Sequence, residues 1–295
     1  MTTDRRDVPG TRAATAVGFS AVLMWSLLAL LTAASGHVPP FELAALTFTL
    51  GGVLGAATWI FRRGAVLQLR QPAPVWALGV GGLFGYHALY FLALRLAPPA
   101  EAGLVSYLWP LLIVLFSSFL PNERLRPHHV IGALLGLVGT IVLFAHNGIG
   151  VGSDHWPGLA AAFVAAFVWA TYSVLSRGFN RVPTDVVSGF CLATAVLALA
   201  CHLVFEDTVW PEDAGQWLAV CGLGIAPVGA AFYAWDFGVK RGDIRVLGAA
   251  SYAAPVLSTS LLVAAGFAQP SLWLLVAAAL IAGGGLVAAK DMLVK

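Results

Sequence analysis

Apolar runs with few charges, each close to the ~20 residues a helix needs to cross a bilayer's hydrocarbon, recur along this chain at short intervals. Ten are predicted, over roughly 14–34, 41–61, 74–94, 99–119, 128–146, 157–176, 184–204, 215–238, 244–266 and 270–290. The connections are short and marked by proline, as in Gly36-His37-Val38-Pro39-Pro40, Pro98-Pro99 and Gln269-Pro270, where a helix must begin or end. Apart from about a dozen N-terminal residues, no polar stretch is long enough to form a disordered linker. The first run is too long for a signal-peptide core and precedes no small-residue cleavage site, so it is expected to remain as a membrane span.

The pattern occurs twice. Ser106-Tyr107-Leu108-Trp109-Pro110 returns as Ser251-Tyr252-Ala253-Ala254-Pro255, and Trp25 with Pro39 returns as Trp169 with Pro183. Five spans fall in each copy, and an odd number obliges the second copy to enter the bilayer upside down relative to the first. The expected fold is an all-α integral membrane protein of ten transmembrane helices, built as two inverted five-helix repeats around a central cavity. The expected units are residues 1–148 for spans one to five and 149–295 for spans six to ten. This is the architecture of an alternating-access carrier.

Composition agrees: 59% of residues are hydrophobic, 10% are charged and the mean hydropathy is +0.86, which places the chain among membrane proteins. The basic residues test the span count independently, because Lys and Arg collect on cytoplasmic connections. Arg5, Arg6 and Arg12 precede span one; Arg62, Arg63 and Arg70 follow span two; Arg124 and Arg126 follow span four. Arg177 and Arg181 follow span six, Lys240, Arg241 and Arg245 follow span eight, and Lys290 and Lys295 end the chain. Of the 16 basic residues only Arg95 falls on the opposite side. Both termini are therefore expected in the cytoplasm. Asp154, Glu206, Asp207, Glu212 and Asp213 lie on the other side. No nucleic-acid surface is implied, and the expected surroundings are lipid.

The order of these features resembles the drug/metabolite transporter superfamily, and within it the EamA family. Gly85-Tyr86-His87-Ala88-Leu89-Tyr90-Phe91, followed by Pro98-Pro99-Ala100-Glu101-Ala102-Gly103-Leu104, is similar to its exporters of aromatic amino acids. The resemblance covers the whole chain. It implies a basket of ten helices with spans five and ten away from the substrate path, and export of small metabolites across a bacterial inner membrane. It does not extend to the essential first-helix glutamate of small multidrug-resistance relatives, whose place is taken in this chain by the span that carries Trp25.

A carrier of inverted repeats binds its substrate near the midplane, where the repeats meet. Polar or aromatic residues near mid-span are therefore the candidate ligand groups: Trp25, Tyr86, His87, Tyr90, Ser106, Trp109, Trp169, Tyr172 and Tyr252. Tyr86 and Tyr90 stand one turn apart and share a face with His87; Ser106 and Trp109, and Trp169 and Tyr172, are three apart. Aromatic faces can stack on a ring or hold an ammonium. An ionisable residue as deep as His87 belongs on a cavity wall, or else bonded to a backbone carbonyl. Trp59, Trp76, Trp156, Trp210, Trp217 and Trp273, near span ends, are expected to anchor at headgroup level. Pro110 and Pro255 each free a carbonyl one turn earlier, as gating hinges or as kinks that only shape packing. Glu42 and Glu101 begin helices, where capping is expected rather than proton carriage, and Asp236 can pair with Lys240 one turn on.

Cys191, Cys201 and Cys221 lack CxxC spacing, so no metal or redox centre is expected, and no Walker motif offers a nucleotide site. No cofactor is predicted. The partner that the resemblance implies is a small neutral or zwitterionic solute, an aromatic amino acid first, with a broad metabolite or drug exporter as the alternative. An enzyme using His87 and Ser106 lacks an orienting third group. A channel stays open as a reading, because an inverted repeat does not exclude one. Oligomeric state is not fixed by the sequence, with a monomer the working expectation.

Overall fold

The computed structural model describes residues 9–62, 64–121, 124–145, 153–266 and 269–293. Nine long apolar helices cross its length: Gly10–Ala34, Pro40–Phe61, Ala73–Leu96, Glu101–Phe119, Pro127–Ala145, Trp156–Gly178, Thr184–Phe205, Ala214–Arg241 and Ile244–Ala264. A shorter tenth, Leu272–Ala288, completes the set, and there is no strand among the described residues. They are called spans one to ten in chain order. The chain is an all-α, multi-pass membrane protein of two inverted repeats. Arg5, Arg6, Arg63 and Lys295 of the charge pattern lie outside the described residues.

Local sequence explains the span ends. Pro39-Pro40 and Pro98-Pro99 open spans two and four, where the missing N–H of proline would have had no helical partner. Asp213, Asp243 and Ser271 cap the beginnings of spans eight, nine and ten by accepting backbone N–H bonds from Gln216, Arg245 and Leu274. Such caps satisfy donors that the first turn leaves open. Glu42 does not cap its own helix. The donors at the start of span two, Phe41 N and Glu42 N, go to the carboxylate of Glu206, 3.1 Å away, from the far repeat.

Packing follows the internal symmetry. Span one lies against span eight as span six lies against span three, while spans two and seven, four and nine, and five and ten pair with their own counterparts. Small residues bring the backbones together, as expected where lipid removes any hydrophobic drive between helices. A Cβ built on Gly18 would stand 2.9 Å from Gly238 Cα, one on Gly51 2.8 Å from Gly229 Cα, and one on Gly132 2.5 Å from the Gly284 carbonyl. Leu203, Leu218, Leu275 and Leu286 are exposed on the outer surface, the arrangement a hydrocarbon solvent requires.

Four spans are interrupted away from their ends. Span four turns at Tyr107-Leu108 and span nine at Ser251-Tyr252, just before Pro110 and Pro255. Span one breaks after Trp25, and span eight has a π-helical turn over Ala226–Ala230 that contains Pro227. Those last two breaks face each other, joined by a 3.0 Å bond from Trp25 Nε1 to the Pro227 carbonyl.

Candidate functional site

The four interrupted spans, with spans two, three and six, enclose a cavity of about 630 Å³, within the range of small-molecule sites. Its walls reach from mid-bundle to Val38 and Pro40, in the connection leading into span two and at its start, and to Leu94 near the end of span three. The cavity therefore extends away from the side where span one begins and span ten ends, the terminal side. None of its lining residues is Asp, Glu, Lys or Arg.

An aromatic floor closes the other end. Trp25 is the hub: its ring lies 6.2 Å from Trp109, 5.6 Å from Trp169, 5.1 Å from Trp235 and 6.2 Å from Phe232. The Trp25–Trp169 contact joins two positions that the repeat makes equivalent, so it marks the axis between the halves. Trp235, fully buried, donates from Nε1 to Ser173 Oγ at 3.0 Å. Beneath it Lys240 Nζ reaches Asp236 Oδ1 at 2.7 Å and the Val182 carbonyl at 3.0 Å, while the Thr184 hydroxyl donates to Asp236 Oδ2 at 2.7 Å. Arg177 adds bonds to the carbonyls of Val239 and Gly242, each 2.8 Å. On the terminal side, spans six and eight and the connection between spans six and seven are thus tied by buried polar groups.

Span three supplies the polar wall. His87 Nδ1 lies 2.7 Å from the Leu83 carbonyl; a carbonyl only accepts, so Nδ1 carries the proton and a neutral ring keeps Nε2 as an acceptor. His87 lines the cavity and bonds the backbone at once, joining the two alternatives the sequence left open. Its ring meets the edges of Phe48 at 5.0 Å and Tyr86 at 5.3 Å. Tyr86 stacks on Tyr90 at 5.9 Å, and its hydroxyl lies 3.3 Å from Ser106 Oγ.

Trp25, Tyr86, His87, Tyr90, Ser106, Trp109 and Trp169 all line this space. Tyr172 and Tyr252 do not. Tyr172 packs its ring 5.2 Å from Trp169 and over Gly82 of span three, because a three-residue step turns it some 60° around the helix from Trp169. Tyr252 is fully buried against Gly136 of span five. Pro110 and Pro255 are buried in their helices, away from the cavity lining. Spans five and ten contribute nothing to the lining.

Residues 13–145 and 156–289 each match the EamA-like transporter family. The chain belongs to this family. A relative from Ancylobacter novellus, named "Aromatic amino acid exporter YddG", is 62% identical over 277 residues, covering 93% of this chain and 96% of its own. A relative of the same name from Escherichia coli K12 is 30% identical over 273 residues, covering 84% and 87%. A crystal structure of a protein 62% identical to this one matches with a TM-score of 0.91, over 95% of this chain and 97% of that one. In this EamA-like chain the floor and walls draw on both matched segments, Trp25, Tyr86 and Trp109 from the first, Trp169 and Phe232 from the second.

The sequence reading missed Phe48, Phe91, Tyr107, Pro227 and Phe232 on the walls and Trp235 in the floor. Pro227 carried a signal, a proline inside an apolar run. Phe48 and Phe232 carried none, since a phenylalanine in a membrane span looks the same from either face. Trp76, in the first turn of span three, is half-buried and sets its ring edge-to-face with Phe190 at 5.4 Å. Near the terminal side, His128, His129 and Asp291 bring potential metal-ligating atoms within 4.8 Å of one another. Arg126 occupies both Asp291 oxygens, at 2.8 and 2.9 Å.

Proposed function

We propose that this chain is a secondary transporter that exports aromatic amino acids across a bacterial inner membrane, with its termini in the cytoplasm. The observation that carries this reading is a cavity at the axis of the repeats, walled by Trp25, Trp109, Trp169, Tyr86, Tyr90 and His87 without a permanent charge. Such walls suit a solute with an apolar ring and no net charge. The ring stacks among the indoles and phenols, an ammonium finds their negative faces, and His87 with the Tyr86–Ser106 pair orients the polar end. A phosphorylated solute would need Arg or Lys that the cavity does not offer. The relatives are named exporters, and the chain is read as a carrier and not an enzyme.

The moving units in this reading are the repeats, residues 1–148 and 149–295. Here the cavity faces away from the cytoplasm, and the floor around Trp25 and the Asp236–Lys240–Thr184 ties are closed. Export requires the alternate state, in which those ties part and the outer mouth shuts. The interruptions at Pro110 and Pro255, at matched depth in the two halves, are the proposed hinges.

Flux from proteoliposomes loaded with radiolabelled phenylalanine, tryptophan or alanine, with and without a pH gradient, tests the reading. Saturable flux selective for the aromatic solutes is expected. Equal flux of all three would replace it with a broad metabolite exporter, and flux that never saturates would replace it with a channel.

A further inference from the structure

A second constellation of titratable side chains lies outside the cavity, where spans two, three and seven meet at its mouth. His202, in the last turn of span seven, is 3% exposed, and Glu42, in the first turn of span two, is 4% exposed. His202 Nδ1 is 3.1 Å from Glu206 Oε2, while Nε2 is 2.9 Å from the Thr208 hydroxyl and 3.9 Å from Glu42 Oε2. Glu42 Oε2 accepts the Val209 N–H at 2.9 Å, but Oε1 is buried with no hydrogen-bond partner. A buried, unpartnered carboxylate oxygen is costly unless it is occupied in another state of the protein.

The charge count points the same way. Glu42 and Glu206 face one guanidinium, Arg95 of span three, at 2.9 Å from Glu206. With His202 neutral the cluster carries one surplus negative charge. Of the other elements packed on span seven, span eight brings Tyr233, Asp236 and Lys240, whose bonds to Ser188, Thr184 and Val182 hold them at the opposite end. Arg95 is the one Lys or Arg among the described residues on this side of the bundle, so the charge of the cluster is completed by a proton. Nδ1 donates to Glu206, so Nε2 is the vacant position on the ring. Thr208 can turn its hydroxyl from donor to acceptor to receive the new N–H.

We propose that His202 and Glu42 form a proton-binding site at the mouth of the cavity, filled from the compartment the cavity faces. The proton joins the Nε2 lone pair or is shared with the Glu42 carboxylate, and the cluster passes from one net negative charge to none. The site is wired to the walls. Phe41 and Glu42 give their N–H groups to Glu206 beside Pro40, which lines the cavity; Arg95 follows Leu94, which also lines it; and the Phe41 ring meets Phe91 of the wall at 5.6 Å. Loading the proton tightens the tie between spans two, three and seven. Losing it releases the start of span two, so the pH outside the mouth sets the rate of exchange between the two states.

The functional half of this inference rests on the transport reading; the proton site itself does not, and two measurements separate them. Histidine-labelled 15N NMR of the whole protein in nanodiscs, with His202→Gln to assign the signal, should show the His202 ring pass from one N–H to two as the pH is lowered. Glu42→Gln, which removes the carboxylate charge 3.9 Å from Nε2, should alter that change. A ring that keeps one protonation state throughout, or one indifferent to Glu42→Gln, overturns the site. In proteoliposomes, flux should change about tenfold as the mouth-side pH is lowered, and His202→Gln should flatten that profile. A variant whose flux falls equally at every pH would make the cluster a structural clamp and overturn the coupling. Absence of any wild-type amino acid flux would overturn the transport reading, and the NMR titration would still decide the proton site.

Discussion

His87 has one ring nitrogen committed to the Leu83 carbonyl and the other left to the cavity, which locks its orientation before a solute arrives. We expect His87→Ala and Trp109→Ala to insert normally and to lose about tenfold or more in flux, a loss of ~1.4 kcal/mol or greater; unchanged turnover for all candidate solutes would remove both from the site. Trp25 tests the floor differently. Trp25→Phe keeps a ring but deletes the bond to the Pro227 carbonyl at the π-turn, so turnover should change more than apparent affinity. Asp236 and Lys240 are a buried pair, 2% and 6% exposed in their side chains. Asp236→Asn leaves an unpaired ammonium and should cost roughly 3–5 kcal/mol, read as a lowered Tm in detergent. Asp236→Asn with Lys240→Met should recover part of it.

Among the helices, spans five and ten are paired by close backbone packing, and the interruptions of spans four and nine are the proposed hinges. Gly132 and Gly284 let the first pair touch backbone to backbone. A Gly132→Ala methyl would press on the Gly284 carbonyl, costing about 1–3 kcal/mol. Since neither span lines the cavity, we expect a lower Tm with normal flux per folded molecule. Pro110→Ala and Pro255→Ala restore the N–H that each helix lacks. They should stiffen spans four and nine, slowing exchange while equilibrium binding is kept; faster exchange in either would argue against a hinge.

For the molecule as a whole, access should be one-sided in the conformation described here. With Cys191, Cys201 and Cys221 replaced, a cysteine at Thr32 or Ser258, both on the cavity wall, should react with a polar thiol reagent added at the mouth. One at Thr184, beside the buried Asp236 pair, should react only in the alternate state, and therefore more with turnover. Much of this was readable from the chain alone. A bilayer admits helices of nearly one length and charges on one favoured side, so span number, the inverted repeat and the candidate depth of Trp25, His87, Trp109 and Trp169 follow from composition and order. What lay beyond reach was rotation and pairing. In lipid both faces of a helix are apolar, so no periodicity marks the inward one, and Tyr172, Tyr252, Phe232 and Trp235 could be sorted only by packing. The same holds for Glu42: its place in a first turn suggested a cap, and only the fold brings Glu206 from 164 residues away to do that work and sets His202 between the two carboxylates. Depth in the membrane is a one-dimensional property that a sequence carries, whereas which groups meet across the axis depends on how ten helices turn toward one another.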